Sequence, residues 1–296
     1  AAVLTYESVN TDKVVDYIDE CKRVLLPNGE SGIQVRPPDI NLSREAFTVG
    51  FEPDEPHDCN HGHIRFGLSA VKGAGEKAIG QIMARREQGP FHNLYDFCER
   101  IDQGVVNRSV IEALIKCGAF DSLYSASAQM RHALVAGLDG AMAAGSRVQA
   151  DRDAGQLHFF ESAASDDGSA ATGPLPESLP DVEPRSRHEM LRHEKQVLGF
   201  YLSSHPLDGY RPILERYATS IADARELPEG ALVVIGGVLG EIKPTVIRKG
   251  RNAGQKMARI KIEDGVASME GLVFSEPYVA AGSLLTKENI VLLKGK

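Results

Sequence analysis

Two glycines separated by one residue stand directly before a predicted helix in the stretch VKGAGEKAIGQIMARRE. Glycine permits the tight turn of a helix-hairpin-helix, and the first N–H groups of the following helix have no partner within that helix. Such groups can bind a phosphate. The pattern predicts a contact with the backbone of duplex DNA, at Lys72, Gly73, Ala74, Gly75 and Lys77. The alternative is that the glycines only end one helix and begin the next.

A second, degenerate copy of this pattern follows in VNRSVIEALIKCGAFDSL. Gly118, Ala119 and Phe120 take the hairpin position in this copy. A phenylalanine at this point favours burial in the core over contact with a ligand.

The strongest local charge lies in residues 243–261, KPTVIRKGRNAGQKMARIK, which carry seven Lys or Arg and no Asp or Glu, although the whole chain has a formal charge of −8. A basic stretch within predicted strands favours binding of single-stranded DNA through its phosphates. The predicted contacts are Lys243, Arg248, Lys249, Arg251, Lys256 and Arg259. Stacking aromatics are scarce there, so a basic face that offsets acidic neighbours remains the alternative.

The loop HDCNHGH contains potential zinc ligands in His57, Cys59, His61 and His63. Structural zinc sites usually draw four ligands from two separated pairs, whereas these four are crowded into one loop. The spacing favours a solvated loop with incidental histidines, and we predict no metal site.

No catalytic constellation is evident. The sequence has no serine nucleophile elbow, no Walker loop and no clustered carboxylates on adjacent strands. We therefore predict no catalytic residues in this chain.

The hexapeptide GQLHFF at 155–160 places a leucine and two phenylalanines among Ala, Asp, Ser, Gly and Pro. The flanking composition cannot bury enough apolar surface to offset the entropy of ordering, which predicts a disordered linker. The residues alone allow the hexapeptide to be a local patch that packs on the preceding helical module.

Hydrophobic periodicity predicts an α+β chain of several modules. A helix begins near Thr11, short strands at 46–49 and 64–68 form a long hairpin, and a helical module with short connections runs from 68 to about 138. Helical pattern resumes near Ser186, and Pro206 suits the first turn of a further helix. From Ala231 four β segments, with a helix between the third and fourth, predict a small Greek-key barrel of the OB type, truncated before a fifth strand.

Composition limits the setting of the protein. The 296 residues suffice for two domains or several modules, and no apolar run is long enough for a membrane span. The N-terminus has no signal-peptide pattern, and the four widely spaced cysteines are typical of reduced thiols in the cytoplasm.

These modules, in this order, resemble the C-terminal half of the bacterial replicative DNA polymerase III alpha subunit. The stretches that carry the resemblance are PPDIN, IRFGLSAVKGAGEKAI, GPFHNLYDFCERID, NRSVIEALIKCGAFDSL and EKQVLGFYLSSHPLDGY. Pattern and resemblance together divide the chain into the end of the fingers region (1–45), a helix-hairpin-helix domain that binds DNA and the clamp (46–150), a clamp-binding peptide with a flexible linker (151–185), connecting helices (186–225) and an incomplete OB-fold domain (226–296).

The resemblance gives the hexapeptide a second interpretation. Members of this family attach to the ring-shaped beta sliding clamp through a pentapeptide similar to Q-L-x-L-F. Gln156, Leu157, His158, Phe159 and Phe160 fit it at four positions, and Phe159 replaces the usual Leu or Met. The resemblance implies that the flexible linker presents this peptide to the clamp.

The resemblance further implies that the parent polypeptide is a Mg²⁺-dependent DNA-directed DNA polymerase of the bacterial replisome, located in the cytoplasm with the nucleoid, with DNA and other replicase subunits as partners and no membrane contact. Its catalytic aspartates belong to a palm region expected upstream of Ala1, so we expect this segment to be inactive and to need no cofactor. The error-prone paralogue of the subunit is one alternative, although it is expected to lack the clamp peptide. A DNA ligase is a second, but neither its K-x-D-G motif nor its four-cysteine zinc module is present.

Overall fold

The computed structural model describes residues 1–7, 11–29, 32–153, 178–183, 185–247 and 253–296. The described chain divides into two compact units, unit 1 (Ala1–Ser203) and unit 2 (Ser204–Lys296). This division falls inside the predicted 186–225 segment. The finer division into five segments stays a prediction.

Unit 1 is mainly helical. Its elements in chain order are α1 (Ala2–Tyr6), α2 (Thr11–Arg23), β1 (Val35–Arg36), β2 (Thr48–Gly50), β3 (His63–Arg65), a 3-10 turn (Leu68–Ala70), α3 (Glu76–Arg86), α4 (Leu94–Arg100), α5 (Arg108–Lys116), α6 (Ala128–Asp153) and α7 (Arg187–Leu198). The three short strands form a sheet in the order β1-β3-β2, in which β3 is parallel to β1 and antiparallel to β2. The β2–β3 pair is the long hairpin that the alternating pattern predicts.

Three helices of unit 1 begin at a residue whose side chain satisfies a free backbone N–H group. The side chain of Asn93 accepts a hydrogen bond from the Asp96 N–H at the start of α4, and Asn107 does the same for α5. Ser186 and Glu189 form a reciprocal capping box at the start of α7.

Phenylalanines fill the core of unit 1. The fully buried rings of Phe91, Phe97 and Phe120 meet edge to face, with centroids 4.8 and 5.2 Å apart. A second group joins Phe66 to Phe47 and to Phe200, which follows α7. The core therefore includes residues from both sides of the predicted linker.

Unit 2 begins with short helices and ends in a curled sheet. It contains a 3-10 turn (Asp208–Tyr210), α8 (Arg211–Tyr217), α9 (Ile221–Glu226), β4 (Val233–Val246), β5 (Lys256–Glu263), β6 (Ser268–Val273), α10 (Ser275–Ala280) and β7 (Ile290–Gly295). The strands are antiparallel in the order β6-β5-β4-β7. The register of β4 against β5 shifts between Leu239 and Ile242, and such a bulge bends a strand.

The curled sheet, with a helix before its last strand, is a half-barrel consistent with an OB-like fold. Together with the helical unit it confirms the predicted α+β class. The prediction for Pro206 is wrong: a turn follows it, and the helix begins only at Arg211, with Pro212 in its first turn. Of the helices in the described ranges, none combines the length and the apolar character that crossing a membrane requires.

Candidate nucleic-acid interface

The first hairpin connects the 3-10 turn to α3 through Val71, Lys72, Gly73, Ala74 and Gly75. Gly73 has a φ of +92°, a conformation that costs any residue with a Cβ atom, so the chain needs glycine at this point. Gly75 is the N-cap of α3, with extended backbone and no side chain to occupy the helix terminus.

Backbone amides at this hairpin are available to a ligand. Within the described residues, nothing accepts a hydrogen bond from the N–H groups of Gly73, Gly75, Glu76 or Lys77. A Cβ atom added at either glycine would meet open space. The exposed Lys72 and Lys77 add positive charge, whereas Glu76 places one carboxylate in the first turn. The hairpin can bind a phosphate through N–H groups, the helix dipole and two cations.

Core packing and a hydrogen bond to α7 fix the position of the hairpin. Ala74, Ala78, Ile79 and Ile82 are buried, which fixes one face of α3 against the core. The Lys72 N–H donates to the carbonyl oxygen of Val197 in α7 at 2.9 Å. Sequence reasoning missed this support, because α7 follows the hairpin by more than a hundred residues.

Arg86, at the far end of α3, differs from the lysines of the hairpin. Arg86 donates to the carbonyl oxygens of Ile40 and Ser43 at 3.1 and 2.8 Å. Arg86 therefore stabilises the fold at a helix end remote from the hairpin.

The second hairpin, at the end of α5, is closed. The residues of this hairpin are all buried: Cys117, Gly118, Ala119 and Phe120. Burial raises the pKa of the Cys117 thiol to about 12. The amides of Gly118 and Ala119 donate to carbonyl oxygens of α5 at 3.0 and 2.9 Å. The prediction that Phe120 belongs to the core is correct.

A buried ion network closes the second hairpin. The Arg131 side chain donates through Nε and Nη2 to the two carboxylate oxygens of Asp121, at 3.0 and 2.5 Å. Its Nη1 donates to the Lys116 carbonyl oxygen and lies 3.6 Å from Oε2 of Glu194. Burial lowers the pKa of Arg131, but the hydrogen bond and charge of Asp121, with the charge of Glu194, outweigh it and raise the pKa overall.

Glu194 also organises the chain after α7. It is fully buried, and its Oε1 accepts hydrogen bonds from the N–H groups of Leu202 and Ser203 at 2.5 and 2.7 Å. The sequence signal for a buried Glu194 was its position between Leu191 and Val197, at helical spacing on the buried face of one helix.

The predicted single-strand contacts lie partly on the sheet of unit 2. Lys243 of β4 pairs in register with Arg259 of β5, so both side chains lie on one face, and both are exposed. Lys243 forms an ion pair with Glu241 at 2.8 Å. Lys256 pairs with Val246 and stands on the opposite face, at the end of the strand. Arg248, Lys249 and Arg251 lie outside the described residues.

The histidine and cysteine loop does not form a cluster. His57 stacks on Phe51, with centroids 4.2 Å apart, and Nδ1 of His61 lies 2.6 Å from Oδ1 of Asp58. His63 departs from the expected solvated loop because it is buried on β3, where burial lowers its pKa. Over the ranges that the structure describes, no three His, Cys, Asp or Glu are grouped as metal ligands.

The predicted clamp peptide, Gln156 to Phe160, lies outside the described residues. The structure describes the chain again from Ser178, whose carbonyl oxygen accepts a hydrogen bond from the Tyr95 hydroxyl at 2.9 Å.

Known proteins match both the helix-hairpin-helix region and the whole length of the chain. The family described as "Helix-hairpin-helix motif" matches residues 32–130, which include both hairpins. The chain is 34% identical to DNA polymerase III subunit alpha of Thermus aquaticus, over 99% of its own length and 21% of that protein. It is 33% identical to the same subunit of Pasteurella multocida and 30% identical to that of Escherichia coli strain K12. Each of these two matches covers 100% of this chain and 23% of the relative.

Fold and site together define an α+β protein with a helix-hairpin-helix domain. Along its whole length the chain corresponds to a segment of the DNA polymerase III alpha subunit, which confirms the resemblance seen in the sequence. It spans less than a quarter of the length of these relatives.

Proposed function

We propose that this chain is the part of a replicative DNA polymerase III alpha subunit that binds DNA and the sliding clamp, and that it does not by itself catalyse template-directed synthesis. The observation that carries the DNA-binding role is the first hairpin, where unpartnered backbone amides lie between the exposed Lys72 and Lys77. Its contact is with the phosphate backbone, so binding is independent of DNA sequence.

A charge placed at the N-cap tests this role. In Gly75→Asp the new carboxylate would accept hydrogen bonds from the first N–H groups of α3, which favours the helix. It would also occupy and repel the phosphate position. We expect unchanged or slightly higher thermal stability, together with a loss of duplex affinity of about tenfold or more by fluorescence anisotropy.

The matched control is Ser220→Asp. Ser220 is the N-cap of α9 in unit 2, so this variant adds the same charge at the same helical position away from the hairpin. Equal losses of affinity in both variants would reduce the effect to net charge and remove the hairpin from the interface.

Single-stranded DNA is proposed to contact the basic face of the curled sheet. The register of Lys243 with Arg259 supports two adjacent cations, and Arg248, Lys249, Arg251 and Lys256 are carried as proposals from the sequence. Arg259→Gln should weaken single-strand binding and leave duplex binding unchanged. Lys294→Gln, at an exposed position of β7, is the control.

Clamp binding is proposed from the pentapeptide alone. Leu157, Phe159 and Phe160 would fill an apolar cleft and Gln156 a polar pocket, so a few anchors would carry most of the binding energy. Calorimetry with the beta clamp should give a Kd of about micromolar, near −8 kcal/mol. The double variant Gln156→Ala, Phe160→Ala should not bind, whereas Ser162→Ala should bind normally. Equal binding by all three proteins would exclude the pentapeptide.

The parent's polymerase activity, its Mg²⁺ requirement, its other replisome partners and its cytoplasmic location are likewise proposals for this chain. Primer extension by the purified chain with Mg²⁺ tests the proposed lack of catalysis. Extension that survives further purification would contradict it.

A further inference from the structure

A pocket of about 270 Å³ lies within unit 1, between α5, α6, α7 and the residue stretch that leads into α7. Five of its lining residues carry cationic or titratable basic groups and one is acidic: Lys116, Arg131, His132, Arg185, His193 and Glu112. Because they come from four separate segments, the tertiary fold assembles this basic pocket.

Two of the cations are already balanced. Lys116 forms an ion pair with Glu112 at 2.6 Å, and Arg131 is held by Asp121 and Glu194. Oε2 of Glu112 also forms an ion pair with Nη1 of Arg108 at 2.5 Å. The single lining carboxylate is therefore fully engaged and cannot neutralise the other basic groups.

The remaining groups are available to a ligand. Across the described ranges, the Arg185 and His193 side chains make no hydrogen bond or ion pair, and Nδ1 of His132 has only a long contact of 3.4 Å to the Glu183 carbonyl oxygen. Ala128, the first residue of α6, also lines the pocket, so the positive end of that 26-residue helix lies beside it. Positive charge and donors exceed acceptors at this site.

The rest of the lining is apolar, with Val135 and Met190 among its side chains. Apolar walls reduce screening by water and strengthen the attraction between fixed cations and a bound anion. Arg and protonated His are donors well suited to phosphate-type oxygens.

We propose that this pocket binds an oxyanion of the phosphate class, with Arg185 and His193 as its principal donors and His132 as an additional one. The site is distinct from the first hairpin and does not depend on the proposed DNA contact there. The shared chemistry is the phosphoryl oxyanion, which either a free phosphate compound or a nucleic-acid backbone supplies.

Protonation should be coupled to binding. Burial, followed by the charges of Lys116 and Arg185, lowers the pKa of His193, so its ring is mostly neutral in the empty pocket at neutral pH. A bound anion favours the protonated ring, and affinity should therefore rise as the pH falls. The charged or titratable groups that line the pocket with His193 or act on its charge are Glu112, Lys116, Arg131, His132, Arg185, Glu189 and Arg192.

Sulfate is the first probe, because it keeps its double charge over the pH range in which histidine titrates. Histidine ring signals of the full chain would be followed by NMR during sulfate titrations at about pH 6 and about pH 8. We expect saturable shifts of the His193 and His132 signals, with tighter binding at the lower pH.

Variants test the assignment. Arg185→Gln removes an exposed side chain and should weaken sulfate binding by about tenfold to a hundredfold, the usual effect of a charge-assisted hydrogen bond. His193→Gln should remove most of the pH dependence. Arg147→Gln, at an exposed position of the same helix α6 about 22 Å along its axis from His132, removes one charge and should bind like the wild type.

Two further arms identify the source of the oxyanion. Inorganic pyrophosphate and a short DNA duplex would each compete with sulfate in the wild type and in Arg185→Gln. If only pyrophosphate competes with sulfate, the natural ligand is a free phosphate compound. If the duplex also competes, and Arg185→Gln abolishes this competition, the ligand is a nucleic-acid phosphate. The proposal is overturned if sulfate produces no saturable shift of either histidine, or if Arg185→Gln and Arg147→Gln both bind as the wild type does.

Discussion

The two hairpins of unit 1 have related sequences and opposite surroundings. At the first, Lys72, Gly73 and Gly75 are exposed and the amides that begin α3 have no partner among the described residues. At the second, Gly118 has a similar φ of +85°, but a Cβ atom there would collide with the Arg131 guanidinium. A glycine of similar φ is therefore exposed in one copy and enclosed in the other.

The difference teaches that the turn alone does not make a phosphate site. Glycine supplies the backbone conformation in both copies. At the second turn the N–H groups of Gly118 and Ala119 already donate to carbonyl oxygens of α5, and Arg131 packs against the glycine. The second hairpin instead serves stability, because Phe120 and the Arg131 network join α5, α6 and α7.

The largest expected effect comes from opening the second hairpin. Arg131→Met leaves the carboxylates of Asp121 and Glu194 buried without their cation, which typically costs about 3–5 kcal/mol of unfolding free energy. Urea denaturation followed by the helical circular dichroism signal measures this loss. Labelling of Cys117 by a thiol reagent should become faster, since its protection depends on the closed hairpin.

A triple variant checks the cause of that loss. Arg131→Met combined with Asp121→Asn and Glu194→Gln removes the stranded charges and should recover part of the stability. A triple variant no more stable than Arg131→Met would assign the loss to packing rather than to unpaired charge.

Alanine at the two turn glycines gives the next largest effect. Gly73→Ala carries only the cost of a positive φ, about 1–2 kcal/mol, because open space surrounds the site. Gly118→Ala carries the same cost and must also displace Arg131. Thermal denaturation should therefore rank Gly118→Ala below Gly73→Ala in stability. The reverse order would show that the second hairpin is not filled as described.

Removing the hairpin lysines has a smaller effect on binding. The double variant Lys72→Gln, Lys77→Gln loses two phosphate contacts, so the slope of log affinity against log salt should fall in magnitude by about 2. Duplex binding by fluorescence anisotropy at several salt concentrations measures this slope. The control Arg108→Gln, at the opposite end of α5 from the second hairpin, should leave this slope unaltered. An equal fall in that variant would show that the slope reports net charge and not the first hairpin.

Much of the fold could be predicted because its signals are local. The G-x-G turn before Glu76, the N-cap residues and the four β segments each depend on a few neighbouring residues. The contrast between the hairpins could be predicted only in part: Phe120 indicated burial, but Arg131 and Glu194 are distant in sequence and meet only in the folded chain.

The supporting role of α7 was not predictable for the same reason. Its Val197 carbonyl oxygen receives the Lys72 N–H, and Phe200 packs against Phe66. The predicted linker lies between these residues and the hairpin in sequence, whereas in the folded chain they belong to the same hydrophobic core. The basic pocket shows the same limit, since its cations come from four segments without any shared motif.

The smallest expected effect concerns Glu76, which separates the two roles of the open hairpin. Its carboxylate in the first turn of α3 interacts favourably with the positive end of the helix dipole. Glu76→Gln should therefore lower the free energy of unfolding by about 0.3–1 kcal/mol. The same carboxylate repels an incoming phosphate, and the variant should bind duplex DNA slightly more tightly at low salt. Calorimetric melting and anisotropy on one preparation measure the two changes, which should have opposite signs. Weaker DNA binding by Glu76→Gln would mean that phosphate does not approach the start of α3, and the first hairpin would then resemble the second in function as well as in sequence.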